Sequence, residues 1–210
     1  MNMEDYNKNQ VPQAAWNAAE ARMSFFRRPI RNKWPTAEPV TLAWVYDYLC
    51  SPTAIPETYE LQRIENHEEA RAWKQEHFDY VTPSGVFSYC SDQNLVLHSQ
   101  LLCIDLDDLG EQVEEYFKKL LADPMFETLL LFRSPSGQGL KWFIHIDLKR
   151  CDHRMWFRAV RNYLMATYGL SDEQVDKSCS NPSRGCFLGH DPQAFLNPKL
   201  IVKPNVLNEK

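Results

Sequence analysis

No glycine precedes Gly85, and all seven glycines lie from that position onward. The first third is punctuated instead by proline, as at Pro29, Pro35 and Pro39. Turns there are made by a fixed φ, and later turns by conformational freedom. The six cysteines include no C-x-x-C pair. The N-terminal "MNMEDYNKNQ" lacks the apolar core of a signal peptide, so reduced thiols in a cytoplasmic protein are expected. No stretch approaches the ~18 consecutive apolar residues of a membrane span. There is no basic surplus either, since the net charge is −5. This argues against indiscriminate coating of nucleic acid but permits a local basic groove. Internal repeats and long low-complexity tracts are absent.

Apolar material is plentiful. Of 210 residues, 44% are hydrophobic and 12% aromatic, enough for one domain with an accessory unit. Residues 1–20 read as a flexible polar leader. Residues 21–204 read as one domain, with an N-terminal unit over 21–98 and a second unit over 99–204. "VTLAWVYDYLC" (40–50) predicts a helix capped by Thr41, and a second helix is expected over 57–77. The segment "SFFRRPIRNKW" mixes aromatics with cations, which suits single-strand contacts. The simpler expectation is that Phe25, Phe26 and Trp34 pack onto the core.

From Gly85 the pattern sharpens. Strands are expected at 85–90, 100–106, 127–133, 140–147 and 185–189. Helices are expected at 111–123, with Val113, Phe117, Leu120 and Leu121 inward, and at 153–170, ended by Gly169. From residue 100 onward the order is β-α-β-β-α-β, an α/β (α+β) arrangement of the RNA-recognition type. In that arrangement the first and third strands are neighbours and the fourth flanks the first. Strand parity puts Leu102, Ile104 and Leu106 against the helices, with Trp142, Ile144 and Ile146. Asp105, Asp107 and Lys141 then share the other, open face. The arginines of the last helix, Arg154, Arg158 and Arg161, read as a solvated face.

Three motifs carry potential chemistry. Asp105 and Asp107, two apart on one strand, repel each other unless a divalent cation lies between them. Hard oxygen ligands select Mg2+ or Mn2+, as a two-metal phosphoryl-transfer site requires. A solvated strand end, with Asp108 capping the next helix, explains these acids about as well. In "SPSGQGLK" (134–141), Ser134, Ser136, Gly137 and Lys141 could receive a phosphate, though a plain hairpin also favours serine and glycine. In "VDKSCSNPSRGCFLGHDP" (175–192), Asp176 could join the other two acids and Arg184 could contact a triphosphate. Cys179, Cys186 and His190 have irregular spacing for zinc and no evident fourth ligand.

In order along the chain, "SFFRRPI", "YVTPSGVFS", "LLCIDLDDL", "FRSPSGQGLKWFIHI" and "DKSCSNPSRGCFLGHDP" resemble the VirE N-terminal domain family, a primase-polymerase-like group of the archaeo-eukaryotic primase superfamily. The resemblance spans about residues 20–200. It implies a nucleotidyltransferase acting on a DNA or RNA template in replication of a mobile element. Its catalytic, metal-holding triad would be Asp105, Asp107 and Asp176, with Mg2+ or Mn2+. Nucleotide binding would fall to Ser134, Ser136, Gly137, Lys141 and Arg184. The implied partners are a nucleoside triphosphate, single-stranded or primed nucleic acid, and a helicase. The chain departs from the superfamily at Lys141, where a histidine is usual, so nucleotide handling differs. The competing expectation is a catalytically inactive, nucleic-acid-binding or helicase-associated module of the same fold.

Overall fold

The computed structural model describes residues 16–201. The expected leader therefore lies mostly outside the described residues, as do 202–204. In chain order the elements are β1 (Ser24–Phe26), α1 (Leu42–Cys50), α2 (Ile55–Gln62), α3 (His67–His77), β2 (Tyr80–Thr82), β3 (Gly85–Phe87), β4 (Leu95–His98), β5 (Leu101–Leu106), α4 (Val113–Leu121), β6 (Leu130–Arg133), β7 (Leu140–His145), α5 (His153–Tyr168), β8 (Cys186–Phe187) and β9 (Phe195–Leu196). The fold is α+β with three antiparallel sheets, ordered β1-β2-β8, β3-β4 and β5-β7-β6-β9.

The four-stranded sheet is the frame of the molecule. Its first and third strands in sequence, β5 and β7, are neighbours, with Asp105 opposite Lys141 and Cys103 opposite Phe143. On one face Leu102, Ile104, Leu106, Trp142 and Ile144 pack against α4 and α5. The inward residues of α4 are Val113, Tyr116, Phe117 and Leu120. Leu121 is left 39% exposed, so Tyr116 takes the place expected for it. Each such side chain, fully buried, contributes about 1.5–3 kcal/mol. Helix α5 starts at Asp152, whose carboxylate accepts from the Met155 amide, and ends at Gly169 in the left-handed region.

The second face is not open along its length. Leu101, Cys103, Leu130, Phe132 and Phe143 are apolar and are covered by Phe25, Val45, Leu49, Val81 and Leu188. The end bearing Asp105 and Lys141 looks into a large cleft. The parity argument marked the polar residues of that face correctly, but most of its residues are apolar and had to be covered.

The last strand also departs from expectation. β8 pairs with β2 in the N-terminal sheet and does not flank β5. The edge of β5 is met by residues 174–176 instead. Val175 bridges Leu106, the Asp107 amide donates to the Gln174 carbonyl at 2.9 Å, and the Asp176 amide donates to the Asp105 carbonyl at 3.0 Å. The far edge is closed by β9 on β6.

Several local expectations are corrected too. The helix expected over 57–77 is two helices, because Asn66 caps α3 by accepting from the Glu68 and Glu69 amides. Asp108 caps nothing; it holds φ +52 and reverses the chain. Phe25 and Phe26 are buried, but Trp34 is 68% exposed. Trp16, inside the expected leader, stacks on His145 at 3.8 Å and donates to the Ser99 carbonyl. No cysteine forms a disulfide. Among the described residues no helix is long and apolar enough to cross a membrane.

Candidate metal and nucleotide site

Asp105 is the penultimate residue of β5, Asp107 lies just beyond the strand, and Asp176 lies on the segment that runs along the strand's edge. One carboxylate oxygen from each falls within 4.8 Å of the other two. The backbone bonds across the edge set this spacing. Asp176 is then locked in place as the cap of a short helical turn, Lys177–Ser180. Its Oδ1 accepts from the Ser178 amide at 2.9 Å, and its Oδ2 accepts from Ser178 Oγ at 2.6 Å and Arg184 Nη2 at 2.7 Å.

Lys141 reaches Asp105 directly across the register, Nζ to Oδ2, with both side chains about nine-tenths buried. Asp105 Oδ1 is buried and has no partner. An orphaned carboxylate oxygen in such a place is costly unless a cation completes it. The three carboxylates so grouped offer hard oxygen donors that fit a Mg2+ or Mn2+ ion.

The electrostatics carry the mark of crowded acids. Burial pushes the Asp107 carboxyl up to about 6 from 3.8, helped by the Asp105 and Asp176 charges and opposed by Lys141 and Lys74. Burial acts on Asp176 in the same direction. There the Ser178 bonds and Arg184 outweigh it, and its pKa lies below the ordinary value. Burial also works against the Lys141 ammonium, yet Asp105, Cys186 and Asp107 hold it well above the usual lysine range. Strong perturbation of several groups in one cleft is typical of functional sites.

The 134–139 loop closes one side. The Ser134 amide donates to the Gly139 carbonyl at 2.8 Å, and the two serine hydroxyls lie 3.2 Å apart. A Cβ on Gly139 would come within 2.1 Å of the Leu106 carbonyl oxygen, so only glycine lets the loop lie against the end of β5. The cleft, of about 720 Å³, contains Ser134, Lys141 and Arg184 together with Asp105 and Asp107. Ser136 and Gly137 stand in the same loop.

The cleft is also lined by basic side chains, most of which the sequence did not single out. His67, Arg71 and Lys74, at i, i+4 and i+7 of α3, line the cleft with Lys33. No described carboxylate pairs with Lys33, Arg71 or Lys74. The nearby arginines are neutralised: Arg27 by Asp79, Arg28 by Glu57 and Arg31 by Glu76. On α5, Arg154 pairs with Asp92 and Arg161 with Asp172. The spacing 67, 71, 74 was a readable signal, but among the many charges of "HEEARAWKQEH" nothing marked that face as the one turned to the acids. The zinc pattern does not assemble. His190 Nδ1 lies 2.9 Å from the Ser51 carbonyl oxygen, and the metal-holding group found among the described residues is the acidic triad.

Comparison with known proteins adds three findings. No curated protein matches the chain. A solved structure, the polymerase domain from Mycobacterium tuberculosis ligase D in complex with DNA, aligns at 18% identity with a TM-score of 0.34. That alignment covers 57% of this chain and 49% of that one, so the chain spans about half the length of that structure. The model of the BT4734-like N-terminal domain matches residues 72–196, which include the triad, the 134–139 loop, Lys141 and Arg184. With well over half of its length in that match, the chain belongs to the family of BT4734-like N-terminal domains.

Proposed function

We propose that this cleft is a primase-polymerase-type site that transfers nucleotides onto a nucleic-acid end with the help of a divalent metal. One observation carries the reading. Asp105, with its orphaned buried oxygen, and Asp107 converge with Asp176 and share a single cleft with Lys33, Arg71 and Lys74, cations without described carboxylate partners. An acidic wall suits a metal ion and a basic wall suits phosphate. A metal-bound nucleoside triphosphate presents both, and about 720 Å³ is the size of a small-molecule pocket. The motif resemblance to VirE-type primase-polymerase domains supports the same reading.

In this reading Asp105, Asp107 and Asp176 hold the metal. Such an ion would offset negative charge on the phosphates and lower the pKa of an attacking hydroxyl. Lys33, Arg71 and Lys74 grip the polyphosphate, and the Ser134 and Ser136 hydroxyls add donors at its edge. Arg184 keeps Asp176 turned inward. A template strand and a helicase partner, in replication of a mobile element, are the context the resemblance implies.

The test is template-dependent incorporation of labelled nucleotides with Mn2+, comparing the native chain with Asp105→Ala. Incorporation that disappears in the variant, with the fold intact, supports the assignment. An Asp105→Ala protein extending a primer at the native rate refutes it. Because the Lys141 contact already takes up one carboxylate oxygen, an inactive binding module of the same fold is the rival. Binding of single-stranded DNA without incorporation would favour it.

A further inference from the structure

We infer that the carboxylate site takes one divalent ion, and that the Lys141 ammonium fills the place of a second. The inference rests on the metal-dependent reading above. Two ions about 3.5–4 Å apart are bridged by carboxylates that give one oxygen to each. Asp105 is badly placed to bridge in this way, because an ion on its Oδ2 would lie against Lys141 Nζ and only Oδ1 is unpartnered. Asp176 is committed further, with Oδ2 accepting from both Ser178 Oγ and Arg184, so that Oδ1, which accepts from the Ser178 amide alone, is the oxygen left to serve one ion. Only the Asp107 carboxylate has no hydrogen bond or ion pair with a described residue.

Charge leads to the same count. Three carboxylates face two built-in cations, Lys141 and Arg184, which leaves a single negative charge. One divalent ion already reverses that sign. A second would lie against a buried ammonium, where repulsion is weakly screened. Lys141 is held beside Asp105. Its side chain is 9% exposed, and Asp105 is the one carboxylate among the residues lining the small pocket at its side, with Ser84, Cys103, Cys179, Asn181 and Cys186.

The experiment counts bound Mn2+ on the full chain by electron paramagnetic resonance of the free ion. The native protein is expected to bind one ion. Lys141→Met, which keeps the apolar stem and removes the charge, is expected to bind two, a twofold rise, with the spectrum of a spin-coupled pair. Lys141→Arg keeps the charge and is expected to bind one. Lys141→Gln serves as a second neutral variant should the methionine form fail to fold, and circular dichroism checks each protein. Two ions on the native chain would overturn the inference and leave the metal-dependent reading standing. One ion on every neutral variant would remove Lys141 from the role. No ion on any form would sink the metal-dependent reading itself.

Discussion

Asp107→Asn should stabilise the metal-free protein in mild alkali and leave it almost unchanged in acid. Burial and the neighbouring carboxylates raise the Asp107 carboxyl to about 6, against 3.8 for a free one. A folded pKa above the unfolded one means that the folded state binds the proton more tightly. Stability is then complete below about pH 4 and is lost as pH rises through about 6. A gap of about two pKa units corresponds to about 3 kcal/mol, an upper bound for a group still partly open to solvent. Asparagine cannot ionise, so the variant escapes that loss. The assay is urea unfolding with a chelator present, on both proteins, at about pH 4 and about pH 8. The expected gain is near zero at the first pH and about 1–3 kcal/mol at the second. Asp176, whose lowered pKa works in the opposite direction, is common to both proteins and largely cancels. Saturating Mn2+ should reverse the order, because the ion stabilises only the form with the full ligand set. An equal gain at both pH values, or a loss at the higher one, would refute the crowded-acid account.

Arg71→Ala and Lys74→Ala should each weaken nucleoside triphosphate binding roughly tenfold, the value of one charge-assisted contact, without shifting the melting temperature; calorimetric titration checks this, and unchanged affinity in the double variant would exclude the α3 wall. Gly139→Ala should cost about 2–4 kcal/mol or prevent folding, because the added carbon meets the Leu106 carbonyl oxygen at 2.1 Å; a thermal melt matching the native one would show that the loop does not lie where described.

The elements that the sequence specified well share a local cause. The α1 cap at Thr41, the α5 cap at Gly169 and the alternation in β5 and β7 depend on residues within a few positions of one another. Failures arose where a distant segment decided the outcome. "GCFLG" has the composition of a strand, but its partner, β2 or β5, is a choice between two edges, and β2 took it. Leu121 fits the helical period, yet it is left 39% exposed at the edge of the core. Asp108 follows the spelling of a cap, while the turn required a left-handed residue.

By itself, the sequence determined the β-α-β-β-α order that follows residue 100 and the face of β5 that carries Asp105, and it marked Asp176 as a candidate third acid, because side-chain period and residue chemistry are properties of the chain. Tertiary structure alone decided that residues 174–176 lie along β5, that most of the second sheet face is covered, and that α3 turns Arg71 and Lys74 toward the acids. It also decided that Lys141 is spent on Asp105. These are contacts between segments far apart in sequence, where many pairings suit the local pattern and only the packing of the whole core selects one.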